Sequence, residues 1–145
     1  MMNTESISVK NVSWQDHEDD LRMIRKVVFI DEQNVSFEDE YDGLDASSTH
    51  LLAYDYEKKP IGTARILKDG HLGRLAVLKH KRGAGVGKAL VVKAIEMMTG
   101  MGFSEIVIHA QEHALPFYES FGFVKEGGRF MEAGIPHYLM KRPVP

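Results

Sequence analysis

The sequence contains no cysteine, which removes disulfides, thiolate metal sites and a cysteine nucleophile from consideration. It has no apolar run long enough to span a bilayer. It also lacks a strong charge of either sign. With a formal net charge of −3, neither nucleic acid nor an anionic membrane surface is indicated as a partner. The start, Met1-Met2-Asn3-Thr4-Glu5, has neither the basic residues nor the apolar core of a signal peptide, and a cytoplasmic protein is the expectation. Repeats, low-complexity segments and linkers are missing too. What is present is an ordinary globular balance, 43% apolar and 27% charged over 145 residues. That length suits one domain, residues 1–145, with a real core.

The stretch Leu72 to Met98 carries the most information. Leu72 to Leu78 is short, apolar and bounded by turn residues, and reads as a strand. Val86, Leu90, Ala94 and Met97 are spaced as one buried helix face. Between them lies Arg82-Gly83-Ala84-Gly85-Val86-Gly87-Lys88. The first N–H groups of a helix have no partner within it, and the helix dipole is positive there. Glycines admit an anion to the backbone, and Arg82 and Lys88 add charge-assisted donors. A phosphate or pyrophosphate cradle follows. A Walker A loop is a poor match, because Ala89 replaces the magnesium-binding hydroxyl and Arg82 replaces the first glycine. The dinucleotide fingerprint fails at Val86 and at Leu90.

Along the rest of the chain, Ile7, Val9 and Val12 mark a first strand, with Ser13 and Asp16 as rival caps for a helix running through Leu21, Ile24, Val27 and Val28 to about Ile30. The acidic stretch Glu38 to Asp45 lacks EF-hand spacing and reads as a solvated loop rather than a metal site. Thr49 to Tyr56, Ile61 to Leu67 and the strand from His71 form a meander, the last turn being Lys68-Asp69-Gly70. Ser104 to Ala110 is a buried strand, parallel to the strand before the helix because a right-handed crossover joins them. A short helix from about Ala114 to Phe121 follows. Two strands, Val124 to Phe130 and His137 to Lys141, then flank the loop Glu132 to Pro136. An exposed edge at these last strands could pair two chains as a homodimer.

Arg-x-x-Gly-x-Gly, residues 82 to 87, resembles the acyl-CoA loop of the GNAT N-acetyltransferases. Phe117-Tyr118 with Gly122-Phe123 resembles a second GNAT signature. Arg25-x-x-Val28-Phe29-Ile30-x-Glu32-Gln33-Asn34-Val35, His50 and Ala133-Gly134-Ile135-Pro136-His137 are similar to the small bacterial ElaA/YjcF-like branch. The resemblance implies an α/β (mixed α+β) GNAT acyl-CoA N-acyltransferase fold, with a central mixed sheet of about seven strands flanked by helices. It implies an enzyme that moves an acetyl group from acetyl-CoA to a primary amine, on a small molecule or a protein, by direct attack in a ternary complex and without a metal. A non-catalytic acyl-CoA-binding module of the same fold is the alternative, and a nucleotide-hydrolysing protein is a weaker third.

The same resemblance assigns sites. Leu75, Ala76 and Val77 would face the pantetheine, with a backbone N–H around Val77 receiving the oxyanion. Arg82, Gly83, Ala84, Gly85, Val86, Gly87 and Lys88 would hold the CoA pyrophosphate. Tyr118 matches the family's general acid, a phenol of pKa ~10 facing a thiolate whose parent thiol has a pKa of about 8.5. Glu32, His71, His109 and His137, or a water they orient, are candidates to take the amine proton, and histidine titrates in the useful range. Many members carry a glutamate on the strand before the loop; Leu72-Gly73-Arg74 offers none. Glu32, after the first helix, is the preferred base or acceptor contact. Arg65 and Arg74 could bind an anionic acceptor or pair with the acidic stretch, and His137 is a further substrate contact.

Overall fold

The computed structural model describes residues 7–145, so the expectation about a signal peptide lies outside the described residues. The chain opens with β1 (Ser8–Val12) and α1 (Trp14–Arg25). Ser13 takes the cap, its Oγ accepting from the Asp16 N–H at 3.2 Å, while Asp16 lies in the first turn where the helix dipole favours a carboxylate. Leu21 and Ile24 are fully buried, as their spacing requires. The helix does not stop at Ile30. From Lys26 to Glu32 it widens into a π-helical segment, in which the Gln33 N–H reaches the Val28 carbonyl at 3.1 Å. A short α2 (Phe37–Glu40) follows.

The meander is β2 (Thr49–Tyr54), β3 (Pro60–Ile66) and β4 (Leu72–Val77), with β1 added on the outer edge of β2. Then come α3 (Val86–Gly100), β5 (Glu105–Gln111), α4 (Leu115–Glu119), β6 (Val124–Glu132) and β7 (Ile135–Pro143). The fully buried face of α3 is Val86, Leu90, Val91, Ala94 and Met98, and Met97 packs half-buried at its margin. This face packs on Leu51, Ile61 and Ala64 from β2 and β3 and on Ile106 and Ile108 from β5.

The strands do not make one continuous sheet. Four form the order β1-β2-β3-β4 and three the order β5-β7-β6. β4 and β5 run parallel, as the crossover dictates, but they meet only at a bridge between His71 and Val107, where the Val107 N–H donates to Gly70 O at 3.1 Å. Beyond it they part and a cleft opens. A bulge on β4 lies just past the bridge. Thr63 pairs with Ala76 and Arg65 with Gly73, so Arg74 and Leu75 stand opposite Ala64 alone, with Arg74 at φ +50°. The final hairpin is longer than expected. β6 continues to Glu132, β7 begins at Ile135, and the five-residue loop shrinks to Ala133-Gly134, whose φ values of +52° and +75° match the strand twist.

The acidic stretch is the clearest departure from the sequence reading. Much of it is exposed, but Glu40 and Asp45 are buried, and together with Asp42 they make half of a largely buried ion cluster. Arg25, 1% exposed on α1, donates from Nε to Glu40 and from Nη1 to Asp45 at 2.6 Å. Arg65 on β3 grips Asp42 with both terminal nitrogens, at 2.9 and 2.8 Å, and reaches Asp45 at 3.1 Å. Arg74 on β4 lies 3.1 Å from Glu40 and donates to the Asp39 and Glu40 carbonyls. Three guanidiniums thus face three carboxyl groups. Burial pushes the Glu40 carboxyl up despite Arg25 and Arg74. Burial also opposes ionisation of Asp42, but the Arg65 hydrogen bonds and the Leu44 N–H outweigh it and bring that carboxyl down to about 2.

Removing one member strands buried charge. Arg25→Met is expected to cost about 3–5 kcal/mol in urea unfolding, whereas Arg22→Met, which breaks the exposed Arg22–Glu18 pair, costs about 1 kcal/mol or less. Asp42 is protonated more easily in the unfolded chain, with an ordinary value of 3.8, than in the folded one. Its contribution is therefore present above pH 4 and lost as the pH falls toward 2. Unfolding midpoints measured from pH 5 to pH 2 should fall more steeply for the wild type than for Asp42→Asn.

Candidate active site

The parting of the sheets leaves a cleft of about 1350 Å³. One wall is the free edge of β4, the opposite wall comes from β5 and the β6–β7 hairpin, and the π-helical segment closes one side. Of the residues expected to hold CoA, Leu75, Ala76, Val77, Arg82, Gly83, Gly85, Val86, Gly87 and Lys88 line it, and Ala84 does not. Gly83 and Gly85 sit at φ +82° and +88°, backbone that side chains resist. Gly85 is the N-cap of α3, and no side chain bonds the helix start, so its first N–H groups stay open to an anion.

The cations of the loop are less free than the sequence suggests. Arg82 forms a two-pronged pair with Glu32, at 2.6 and 2.8 Å, and its Nε donates to Val77 O at 3.0 Å. Lys81 lies 3.4 Å from Asp55. Lys88 is exposed. The Arg82 hydrogen bond, with Arg82 and Lys79 charge behind it, holds the Glu32 carboxyl below its ordinary value. That makes Glu32 a weaker base than its position after the first helix promises. Arg65 and Arg74 also border the cleft, but their donors go to the acidic stretch, the second of the two roles open to them.

Tyr118 lies on α4 and faces the cleft. It is held edge-to-face by Phe117 at 5.1 Å and by Phe123 at 5.9 Å. Burial pushes its phenol well above the usual range, so the hydroxyl keeps its proton at any physiological pH. Phe117 also lies 3.4 Å from where a Cβ on Gly87 would stand, which seats α4 against the first turn of α3.

Residues 24–143 match the family model described as an acetyltransferase (GNAT) domain. The chain belongs to the GNAT acetyltransferase family. It is 43% identical over 124 residues to the uncharacterized N-acetyltransferase YjcF of Bacillus subtilis, covering 82% of this chain and 87% of that one. It is 33% identical over 150 residues to ElaA of Escherichia coli, covering 92% and 97%. Among solved structures, an acyl-CoA N-acyltransferase from Pseudomonas aeruginosa superposes with a TM-score of 0.84 at 27% identity, covering 94% of this chain and 99% of that one. Escherichia coli ElaA superposes at 0.83 with 30% identity and the same coverage. This GNAT protein is thus an acyltransferase with an acyl-CoA co-substrate. No group of three histidine, aspartate or glutamate side chains among the described residues is arranged to hold a metal ion. None of the described helices is long and apolar enough to cross a membrane.

Several cleft residues were not singled out from the sequence as site residues. Glu132 was placed in a loop, yet it ends β6 and lies 2.8 Å from His109. Gln111 donates to Gln33 at 2.9 Å and ties β5 to the end of the π-helical segment. The signal that could have found Glu132 is the Ala133-Gly134 pair, a two-residue hairpin turn. Because Glu32 would compete with an anion for Arg82, Glu32→Gln is expected to tighten acetyl-CoA binding by about twofold to fivefold in calorimetry, a gain typical of releasing one exposed ion pair.

Proposed function

We propose that the protein is a cytoplasmic acetyl-CoA-dependent N-acetyltransferase whose acceptor is a primary amine attacking the thioester directly in a ternary complex. The observation that carries this reading is that one cleft joins the free edge of β4, the uncapped start of α3 and the Tyr118 phenol. The pyrophosphate sits on the Arg82–Lys88 loop, against open N–H groups and the positive end of α3. The pantetheine lies along Leu75–Val77 and uses backbone groups that β5 leaves unpaired. A backbone N–H of this segment receives the oxyanion of the tetrahedral intermediate. Tyr118 protonates the departing thiolate. Its raised pKa makes a free-standing proton transfer uphill, so the transfer accompanies cleavage of the C–S bond.

Calorimetry with acetyl-CoA tests the cradle. Wild type should bind, and Arg82→Ala combined with Gly85→Asp, which removes a cation and places a carboxylate at the pyrophosphate, should not. No binding by the wild type would sink the reading. Tyr118→Phe should retain acetyl-CoA affinity within about twofold while kcat drops by about 10²-fold, the usual scale of a general acid.

A further inference from the structure

The wall across the cleft from β4 carries a polar cluster to which the acetyl-CoA assignment above gives no role. Ile106, Ile108 and Ala110 of β5 face the core, and His109 and Gln111 face the other way, into the cleft. β7 sets His137 opposite Gln111, and β6 sets Phe130 opposite His137. The tight Ala133-Gly134 turn then swings Glu132 onto both histidines. One carboxyl oxygen is 2.8 Å from His109 Nδ1, and the other is 3.7 Å from His137 Nε2. His137 is 5% exposed and fixed by Nδ1 donating to Ile135 O at 2.7 Å.

Elementary chemistry assigns the His109 tautomer. A carboxylate only accepts, so Nδ1 carries the proton and Nε2 of the neutral ring presents a lone pair. The ring is pinned from several sides. His71, the residue before β4, itself bonded to Asp69 at 2.9 Å, meets it edge-on at 5.3 Å. Phe130 of β6 meets it at 5.3 Å. Beyond lie Gln111 with Gln33, and the Arg129–Glu112 pair at 3.3 Å.

The position is as telling as the tautomer. His71 and Val107 form the backbone bridge between the sheets, beyond which the strands separate. Two residues further along each strand stand Gly73 and His109, so His109 is at the root of the opening and the Arg74–Leu75 bulge follows at once on the other wall. The charge balance of the cleft is equally pointed. Arg65 and Arg74 are tied into the acidic cluster, Arg82 belongs to the loop assigned to the pyrophosphate, and Arg129 on this wall is paired with Glu112, so among the described residues the wall carries no free guanidinium for a carboxylate or phosphate on the acceptor. Glu132 is its carboxylate.

On the acyl-transfer reading above, we propose that His109, oriented by Glu132, takes the proton of the acceptor, and that the acceptor is a cationic primary amine bearing no carboxylate or phosphate. The ammonium gives one proton to His109 Nε2, and Glu132 balances the imidazolium. The freed amine forms the C–N bond and pushes the carbonyl pair onto oxygen. Return of that pair breaks the C–S bond, the thiolate takes the Tyr118 proton, and the second nitrogen proton replaces it. His109 releases its proton to solvent, so one proton is set free per acetyl group transferred.

The test uses the full chain with acetyl-CoA and two probe sets, tyramine, benzylamine and spermidine against glycine and glutamate, reading CoA thiol release. The amines should exceed the amino acids at least tenfold in kcat/KM. His109→Gln should lower kcat/KM by about 10²-fold or more and remove the acidic limb of its pH profile, with acetyl-CoA affinity unchanged within about twofold. Glu132→Gln should lower kcat/KM and displace that limb, and Glu132→Asp should restore part of it, which a purely structural role would not do. Activity of His109→Gln within threefold of wild type overturns the proposal. So does preference for the amino acids, or binding of acetyl-CoA without acetylation of any amine. Failure to bind acetyl-CoA overturns instead the reading beneath it, and this one falls with it.

Discussion

Backbone groups that leave a ladder must find other partners, and β4 leaves β5 after a single bridge. From Arg74 onward β4 keeps β3 on one side and the cleft on the other. An unpaired strand edge in a folded protein is usually a hazard, since any extended chain can dock there. Here the edge ends at a glycine turn and an uncapped helix start, so one element offers extended-chain hydrogen bonds and, a few residues later, an anion cradle. The apolar packing of α3 against strands of both sheets holds them together at the root and lets them diverge beyond it.

The remaining side of the cleft is built on different physics. The segment Asp39 to Asp45 has few apolar side chains with which to dock. Planar guanidiniums fix it instead: Arg25 from the first helix, Arg65 from β3 and Arg74 from the bulge each hold a carboxyl in a defined orientation. Desolvating such groups is costly, and an apolar plug could be as stable. What fixed hydrogen-bond geometry supplies is a position. The bulge on the cleft edge of β4 also turns Arg74 toward this segment, so the two sides of the cleft are set by one irregularity.

Contiguous features were readable in the chain. The strand–turn–helix from Leu72 to Met98 and the Phe117-Tyr118 helix depend on neighbours a few residues away, and the family motifs fell on them. The hidden features are pairings over distance. Arg65 meets Asp42 across 23 residues and Arg82 meets Glu32 across 50. Charge and spacing do not name a partner that folding brings from elsewhere. The acidic stretch looked solvated for that reason, although pairing with Arg65 and Arg74 was among their open roles. The π-helical widening after Arg25 was invisible because its apolar pattern passes for an ordinary helix. Glu132 was obscured by a smaller error, a tight hairpin read as a loop.

The Glu32–Arg82 pair spans the two halves of the site. Arg82 belongs to the glycine turn before α3, and Glu32 ends the π-helical segment on another side of the same cleft. A guanidinium cannot give the same two donors to a carboxylate and to a phosphate. Whatever draws Arg82 away releases Glu32, and whatever engages Glu32 releases Arg82. Thermodynamic reciprocity then requires the factor by which one co-substrate alters the other's affinity to be identical in both directions. Two ligands that never touch Arg82 and Glu32 together would still be bound to a common cooperativity through them.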